Sequence, residues 1–187
     1  MNLQDIASRD NPLVKQLRAL AHDNTAYRAE GRVWLEGDHL CRALLARGGR
    51  PELAVFTTSA WASSDQALRE AAPRVARVPD ALMASISALE SPGRMGFVWR
   101  LPASPTVQPL APSVLLDRLQ DAGNVGSVLR SASAFGFTQV LALKGTAALW
   151  SPKVLRAGMG AHFALHLVEG LDDSALEALQ VPLVGTS

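Results

Sequence analysis

The sequence predicts an α/β protein of two domains, a small α/β domain followed by one with a doubly wound parallel sheet. Three observations lead to this fold class. Apolar strand-like runs alternate with helical patterns along most of the 187 residues. The alternation stops at LPASPTVQPLAP, whose four prolines are typical of an extended linker. It then restarts with short, continuously apolar strands, as in a parallel sheet covered on both faces. The predicted domains are residues 1–101 and 113–187, joined by the linker 102–112.

In the first domain the elements follow one another closely. A helix is expected to start at Asp10 or Asn11, because an Asx side chain caps free N–H groups and Pro12 suits the first helical position. The later helices are predicted from apolar spacing and end signals, in DHLCRALLARGG, SSDQALREAA (with a serine-type cap) and DALMASISAL. The strands are predicted in RVWLEG, ELAVFTT, RVARV and FVWRL.

The second domain is predicted to hold four apolar strands separated by helices. A helix from about Asn124 to Phe135 follows the first strand, and Asn124 is a suitable cap for it. A short helix in SPKVLRAG and another in DDSALEALQ follow. The strands are SVLLD, TQVLAL, AHFALHLV and VPLVG.

Composition excludes several classes of protein. The chain is 48% apolar and 19% charged, as expected of a globular protein rather than a disordered one. No apolar run approaches the eighteen or so residues of a membrane span, and the first residues do not resemble a signal peptide. Cys41 is alone, which excludes an internal disulfide and favours a reducing, cytoplasmic location. His162 and His166 would share a strand face, but without a third ligand no metal site is predicted.

Charge is unevenly distributed although the net charge is only +1. Residues 91–160 hold seven basic side chains against two acidic ones. This excess is compatible with an anionic partner such as RNA, and equally with scattered solvated arginines. Trp150, just before a helix start, is the tryptophan best placed to stack on an unpaired base or to lie in an interface.

The stretch DRLQDAGNVGSVLRSASAFGF, residues 117–137, places three glycines and an asparagine between a strand and a helix. Backbone N–H groups at such a helix start attract anions, and Gly126 allows another chain or a ligand to approach closely. The stretch lacks the lysine of a phosphate loop and the glycine spacing of a dinucleotide fingerprint. Local chemistry alone therefore favours a capped, tightly packed helix.

The longer string LLDRLQDAGNVGSVLRSASAFGFTQVLAL resembles the first motif of the SpoU/TrmH family of RNA 2′-O-ribose methyltransferases, of the SPOUT class, with Asn124, Gly126 and Arg130 in register. SPKVLRAGMGAHFALHLV is similar to the family's next helix and strand. SRDNPLVKQLRAL, RVWLEGDHLCRALL and FVWRLP resemble the small substrate-binding domain, similar to ribosomal protein L30e, that precedes the methyltransferase domain in many members.

The resemblance implies methyl transfer from S-adenosylmethionine to a ribose 2′-hydroxyl of ribosomal or transfer RNA, in a homodimer whose active site is shared between protomers. The L30e-like domain favours ribosomal RNA, because such a module suits a structured RNA element. It assigns catalysis to Asn124 and Arg130. Arginine stays protonated in proteins, so we expect Arg130 to clamp developing negative charge rather than to act as a base. Six residues separate Arg130 from Asn124, which we expect to put them on neighbouring faces near one helix end. The basic residues expected to contact structured RNA are Lys15, Arg18, Arg94, Arg118, Lys153 and Arg156.

The family binds its cofactor in a C-terminal trefoil knot that contains an Asn-Glu-Gly string and a Ser-Leu-Asn string. Neither string occurs in this sequence, and only Val184, Gly185 and Thr186 reach the start of the expected pocket. We therefore expect the 187 residues to be part of a longer enzyme, to bind little S-adenosylmethionine and to be inactive on their own. A non-catalytic RNA-binding protein is the alternative. A small-molecule enzyme is disfavoured, since no nucleophile, base and acid set is present.

Overall fold

A computed structural model describes residues 2–103 and 105–185. The chain divides into two compact units. The first unit comprises Met1–Leu101 and Trp150–Pro152, and the second comprises Pro102–Leu149 and Lys153–Ser187. Helices accompany a sheet in each unit, which confirms the predicted α/β class.

The first unit is built on a five-stranded sheet. Its strands are Asn2–Asp5 (β1), Arg32–Glu36 (β2), Leu53–Thr57 (β3), Arg74–Val78 (β4) and Met95–Arg100 (β5). The order is β1-β4-β3-β5-β2, and β5 is antiparallel to both of its neighbours, whereas β1, β4 and β3 are parallel. Strands β2, β3 and β4 therefore begin at the edge of the sheet where β5 ends. This edge brings together arginines that are far apart in the sequence.

Six helices accompany this sheet. They are Pro12–His22 (α1), Ala26–Glu30 (α2), Asp38–Ala46 (α3), Thr58–Trp61 (α4), Gln66–Arg69 (α5) and Asp80–Ile86 (α6). The predicted start of α1 is confirmed, since the Asn11 side chain caps it by accepting a hydrogen bond of 2.9 Å from the N–H of Leu13. Val14, Leu17 and Leu20 are buried, as their helical spacing requires.

Several elements of the first unit differ from the sequence-based expectation, and helices α2 and α4 were not predicted. All four residues of β1 are exposed, so this edge strand has no apolar alternation by which it could be recognised. The helix predicted in SSDQALREAA is reduced to the four residues of α5, and Asp65 before it makes no side-chain capping bond. Only Leu68 of α5 is buried, and a helix with a single apolar anchor gains little from tertiary packing.

The second unit contains a parallel sheet of three strands among the described residues. They are Ser113–Leu116 (β6), Gln139–Leu143 (β7) and His166–Leu171 (β8), in the order β6-β7-β8. Helix Ala122–Ala134 (α7) connects β6 to β7, and helix Pro152–Gly158 (α8) lies between β7 and β8. All five residues of β7 are buried, so the central strand forms the core of the unit.

Three predictions for the end of the chain were wrong. Residues Ala161–Ala164 form a 3₁₀ helix, so the strand predicted in AHFALHLV begins only at His166. The helix predicted in DDSALEALQ is a 3₁₀ helix at Asp173–Ala178, which buries none of its residues and so lacks the packing that sustains an α-helix. VPLVG forms no strand through residue 185, because its proline cannot donate to a ladder and no neighbouring strand pairs with it.

Within the described ranges, every helix is too short or too polar to cross a lipid bilayer.

Candidate functional site

The glycine-rich turn between β6 and α7 is capped by Asp121. Its Oδ1 accepts a hydrogen bond of 2.7 Å from the N–H of Asn124, and its backbone is extended, as at an N-cap. The prediction that Asn124 caps this helix was therefore wrong. Asn124 is the third residue of α7, and its side chain is exposed. Aspartate and asparagine cap about equally well, and here the earlier of the two occupies the capping position.

Gly126 is required by the packing of α8 against α7. A Cβ at Gly126 would lie 2.3 Å from the Cβ of Ala157 and 2.7 Å from the backbone nitrogen of Gly158. No side chain fits in that space, so the two helices meet backbone to backbone. This contact sets the position of the end of α8 against α7.

Arg130 lies one turn beyond Gly126 on nearly the same side of α7, the side that α8 approaches. Its side chain is exposed and makes no hydrogen bond or ion pair with residues 2–103 or 105–185. Relative to Asn124 it stands about 9 Å further along the helix and about 120° around it. The expectation that the two side chains share neighbouring faces near one end was wrong, because six residues make one and two-thirds turns.

Helix α8 adds two more cations that have no partner within the described part of the chain. Lys153 is exposed and Arg156 is half-buried. Arg156 directly precedes Ala157, the residue that touches Gly126. The crossing of α7 and α8 is therefore bordered by Arg130, Lys153 and Arg156. We call this group the crossing cations.

His162 packs against α8 at Gly158, next to the contact between α7 and α8. A Cβ at Gly158 would lie 2.5 Å from its imidazole Cε1, so the ring packs directly on the backbone of α8. Its Nε2 lies 2.8 Å from the carbonyl oxygen of Leu149. Burial lowers the pKa of His162 to about 4, which keeps the ring neutral at physiological pH. His166 instead reaches the carbonyl of Thr106 at 2.7 Å, so the predicted sharing of one strand face was wrong.

At the carboxyl edge of the second sheet, basic side chains are paired with acidic ones. Arg118, which adopts a left-handed backbone conformation (φ 53°), binds Asp117 and also contacts Asp173 at 3.2 Å. Lys144 binds Asp172 at 2.7 Å. Arg118 was expected to contact RNA, but in this arrangement its charge is already balanced by two carboxylates.

The basic residues expected to contact RNA in the first unit differ in whether their charged groups are accessible to a partner. The Arg18 guanidinium donates to the backbone oxygen and the hydroxyl of Ser85, at 3.0 and 3.2 Å. It thereby ties α1 to α6. Lys15 is exposed, 3.5 Å from Asp10, and Arg94 is exposed and donates to Ser59 at 3.3 Å. Lys15 and Arg94 remain accessible to an anionic partner.

Trp150 does not have the predicted role at the surface. Its exposed fraction is 9%, and its ring lies 5.7 Å from that of Trp99 within the first unit. Stacking on an unpaired base requires an accessible face, which Trp150 lacks.

Val184 and Gly185, two of the residues expected to begin a cofactor pocket, are exposed to solvent. Val184 is 82% exposed, and a Cβ at Gly185 would meet nothing within 4 Å. Thr186 lies outside the described residues. An adenosine group needs walls on most of its surface, so these residues do not by themselves form a pocket for it. We therefore derive no chemical step from them.

Two family models match the chain. One, described as the SpoU rRNA Methylase family, covers residues 111–185, and the other, described as the MRM3-like substrate binding domain, covers residues 11–95. The gap between the two models, residues 96–110, includes most of the proline-rich stretch.

Similar proteins are described as RNA methyltransferases. A tRNA/rRNA methyltransferase of Synechocystis sp., itself described as uncharacterized, is 33% identical over 88% of this chain and 61% of its own length. A 23S rRNA (guanosine(2553)-2′-O)-methyltransferase of Bacillus subtilis is 25% identical over 89% of this chain and 65% of its own. The chain spans from 13% to 65% of the length of such curated relatives.

The fold is that of a solved methyltransferase. The crystal structure of an AdoMet-bound rRNA methyltransferase from Sinorhizobium meliloti matches with a TM-score of 0.78, covering 94% of this chain and 68% of that one. At 23% identity this likeness shows the shared fold.

Proposed function

We propose that the chain belongs to the SpoU rRNA methylase family and that the protein transfers a methyl group from S-adenosylmethionine to a ribose 2′-hydroxyl of ribosomal RNA. The observation that carries the proposal is the position of Arg130. It is exposed at the crossing of α7 and α8, makes no hydrogen bond or ion pair within the described residues, and corresponds to the arginine of the motif that this chain resembles. The printed descriptions of the relatives support the RNA substrate and the 2′-O position.

A ribose 2′-hydroxyl is a poor nucleophile, so its oxygen must be oriented and its developing negative charge stabilised. The guanidinium of Arg130 keeps its protons at any physiological pH and cannot accept one from the hydroxyl. We assign it to stabilising the negative charge that develops on the ribose oxygen. S-adenosylmethionine, when bound, would supply the methyl group.

Asn124 acts on a different part of the substrate. It diverges from Arg130 by about 120° around α7, so within one protomer the two side chains address different groups. Lys153 and Arg156 we assign to the RNA backbone, since a cation next to a phosphate gains affinity without reading sequence. Lys15 and Arg94 are the corresponding positions in the first unit.

A homodimer is the assembly that we propose. Phe135, which ends α7, is 82% exposed, and Phe137 is 38% exposed. Large exposed aromatic residues at one place are typical of a protein interface. We propose a cytoplasmic location, in which the buried thiol of Cys41 remains reduced.

The proposed function is tested by mapping 2′-O-methylated nucleotides in ribosomal RNA. Cells that lack the gene should lose at least one such modification, and the natural gene should restore it. A gene encoding Arg130→Ala should not restore it, although the variant accumulates normally. If the modification pattern is unchanged while the purified protein still binds ribosomal RNA, the protein is a non-catalytic RNA-binding protein.

A further inference from the structure

A cavity of about 410 Å³ opens at the edge of the first sheet where β2, β3 and β4 begin. Its floor is apolar and is formed by Leu13 of α1, Leu53 of β3 and Val98 of β5. Leu53 and Val98 are paired in the sheet, and both are buried in the core. The floor is therefore rigid, as a site that receives a flat ring requires.

The rim of this cavity is polar and positively charged. Glu52 accepts hydrogen bonds of 2.6 Å from both Arg32 and Arg100. Burial acts to raise the pKa of Glu52, but these two hydrogen bonds outweigh it and lower the pKa, so the carboxylate is charged at neutral pH. Arg32 and Glu52 both line the cavity and balance each other's charge, so the net positive charge of the lining comes from Arg74.

Arg74 adds a cation that is not paired. It starts β4, lines the cavity, and makes no hydrogen bond or ion pair with residues 2–103 or 105–185. A smaller cavity of about 70 Å³ on its other side is also lined by Leu13, Leu53 and Arg74. The guanidinium therefore has room on both sides to turn toward an incoming anion.

The guanidinium of Arg32, unlike that of Arg74, is held in place by hydrogen bonds. Besides Glu52, it donates a hydrogen bond of 3.0 Å to the backbone oxygen of Glu30. A guanidinium plane fixed in this way offers a face on which a nucleobase stacks. Gln16 also lines the cavity, and its amide nitrogen is engaged by the Glu30 carboxylate at 2.6 Å. The amide is thus oriented, and its oxygen is left to accept a hydrogen bond.

From these features we infer that the cavity binds one unpaired nucleotide of an RNA. The base lies on the apolar floor against the Arg32 plane, and its phosphate is bound by Arg74. The volume and the combination of a flat apolar floor with an unpaired arginine fit a nucleotide. An acidic peptide would use the charge but leave the floor empty. The inference rests on the proposed RNA substrate, and it adds a contact far from Arg130 in the sequence.

The test titrates uridine and adenosine 5′-monophosphate into the whole chain and follows the methyl resonances of Leu13, Leu53 and Val98. We expect these resonances to shift at millimolar nucleotide. The shifts should be lost in Arg74→Ala and kept in Arg47→Ala, which removes the same charge outside the cavity lining. Arg74→Ala should also weaken binding of a single-stranded ribosomal RNA fragment roughly tenfold, the loss of one charge-assisted contact.

Three outcomes would overturn the inference. Equal shifts with inorganic phosphate alone would show an anion site without a base. Shifts with a glutamate-rich peptide, but none with nucleotide, would show a protein-binding groove. If Arg74→Ala is folded, as an unchanged amide spectrum would show, and still binds RNA with the same affinity, the cavity does not contribute to RNA binding. None of these outcomes alters the expected loss of 2′-O-methylation in Arg130→Ala, so failure of the inference is distinguishable from failure of the proposed function.

Discussion

At the scale of single residues, the crossing of α7 and α8 depends on two glycines and a buried histidine. Gly126 and Gly158 allow α7, α8 and the His162 ring to approach one another to distances that a Cβ would prevent. The imidazole of His162 is buried against α8, and its Nε2 lies 2.8 Å from the carbonyl oxygen of Leu149. Burial lowers the pKa of His162, so the ring is neutral there at physiological pH.

His162 should make the stability of the protein depend on pH. Its pKa is about 4 in the folded state, and an unfolded histidine titrates near 6.5. The unfolded state therefore binds more protons between these values, so stability is full above about pH 6.5 and falls by roughly 3 kcal/mol toward pH 4. Urea unfolding from pH 7 to 4.5 should show a steeper loss in the wild type than in His162→Gln. Equal slopes for the wild type and His162→Gln would contradict the burial of His162.

At the scale of elements, α7 shows what the sequence can and cannot predict. The strand, the glycine-rich turn and the helix were all predicted from apolar spacing and cap residues. The start was misplaced by two residues because Asp121 and Asn124 are both good caps, and only the backbone decides between them. The contact of Gly126 with Ala157 joins residues that are distant in sequence, so no local pattern shows it.

Replacing the cap should destabilise α7 selectively. Asp121→Ala leaves the Asn124 N–H without its partner and should cost about 1 kcal/mol of local stability. Asn124→Ala should change that stability by less than about 0.5 kcal/mol, since its side chain is exposed. Native-state hydrogen exchange of the α7 amides measures both. A larger loss in Asn124→Ala than in Asp121→Ala would return the cap to Asn124.

Adding one methyl group at Gly126 should separate the two helices. The new Cβ would lie 2.3 Å from that of Ala157, so Gly126→Ala should destabilise the second unit by about 1 to 3 kcal/mol despite its better helix propensity. Ser127→Ala, on the exposed face of the same helix, is the matched control and should be nearly neutral. Thermal unfolding followed by circular dichroism compares them. Unchanged stability in Gly126→Ala would mean that α8 lies further from α7.

At the scale of the whole molecule, the charge pattern in the sequence overstates the basic surface. Seven basic residues lie between positions 91 and 160, but Arg94, Arg100, Arg118 and Lys144 donate to side chains elsewhere in the fold. Of these seven, only the crossing cations remain without partners within the described residues. Asp173, which contacts Arg118, and Asp172, which binds Lys144, are 55 and 28 residues away, so composition alone left the alternatives open. The cavity of the first unit was missed for the same reason, since strand pairing and the packing of α1 assemble it from distant residues.

The crossing cations should determine the salt dependence of RNA binding. Removing two phosphate contacts in Lys153→Ala/Arg156→Ala should reduce the slope of log affinity against log salt by about 1.5. Lys144→Ala removes a charge that Asp172 already balances and should change the slope much less. Filter binding of ribosomal RNA fragments at several salt concentrations gives both slopes. Equal reductions would show that net charge, not position, controls binding.

The most direct test of the proposed mechanism is single-turnover methylation at saturating RNA, with the natural gene product carrying Arg130→Ala. If Arg130 stabilises charge on the ribose oxygen, the rate should fall on the order of a hundredfold or more while RNA affinity changes little. Arg130→Lys should recover little of the rate, because a flexible point charge does not reproduce the planar fork. Lys153→Ala, the matched control, should weaken RNA binding and leave the rate at saturation intact. A normal single-turnover rate in Arg130→Ala, together with weakened RNA binding, would contradict the assignment and make Arg130 an anchor for RNA.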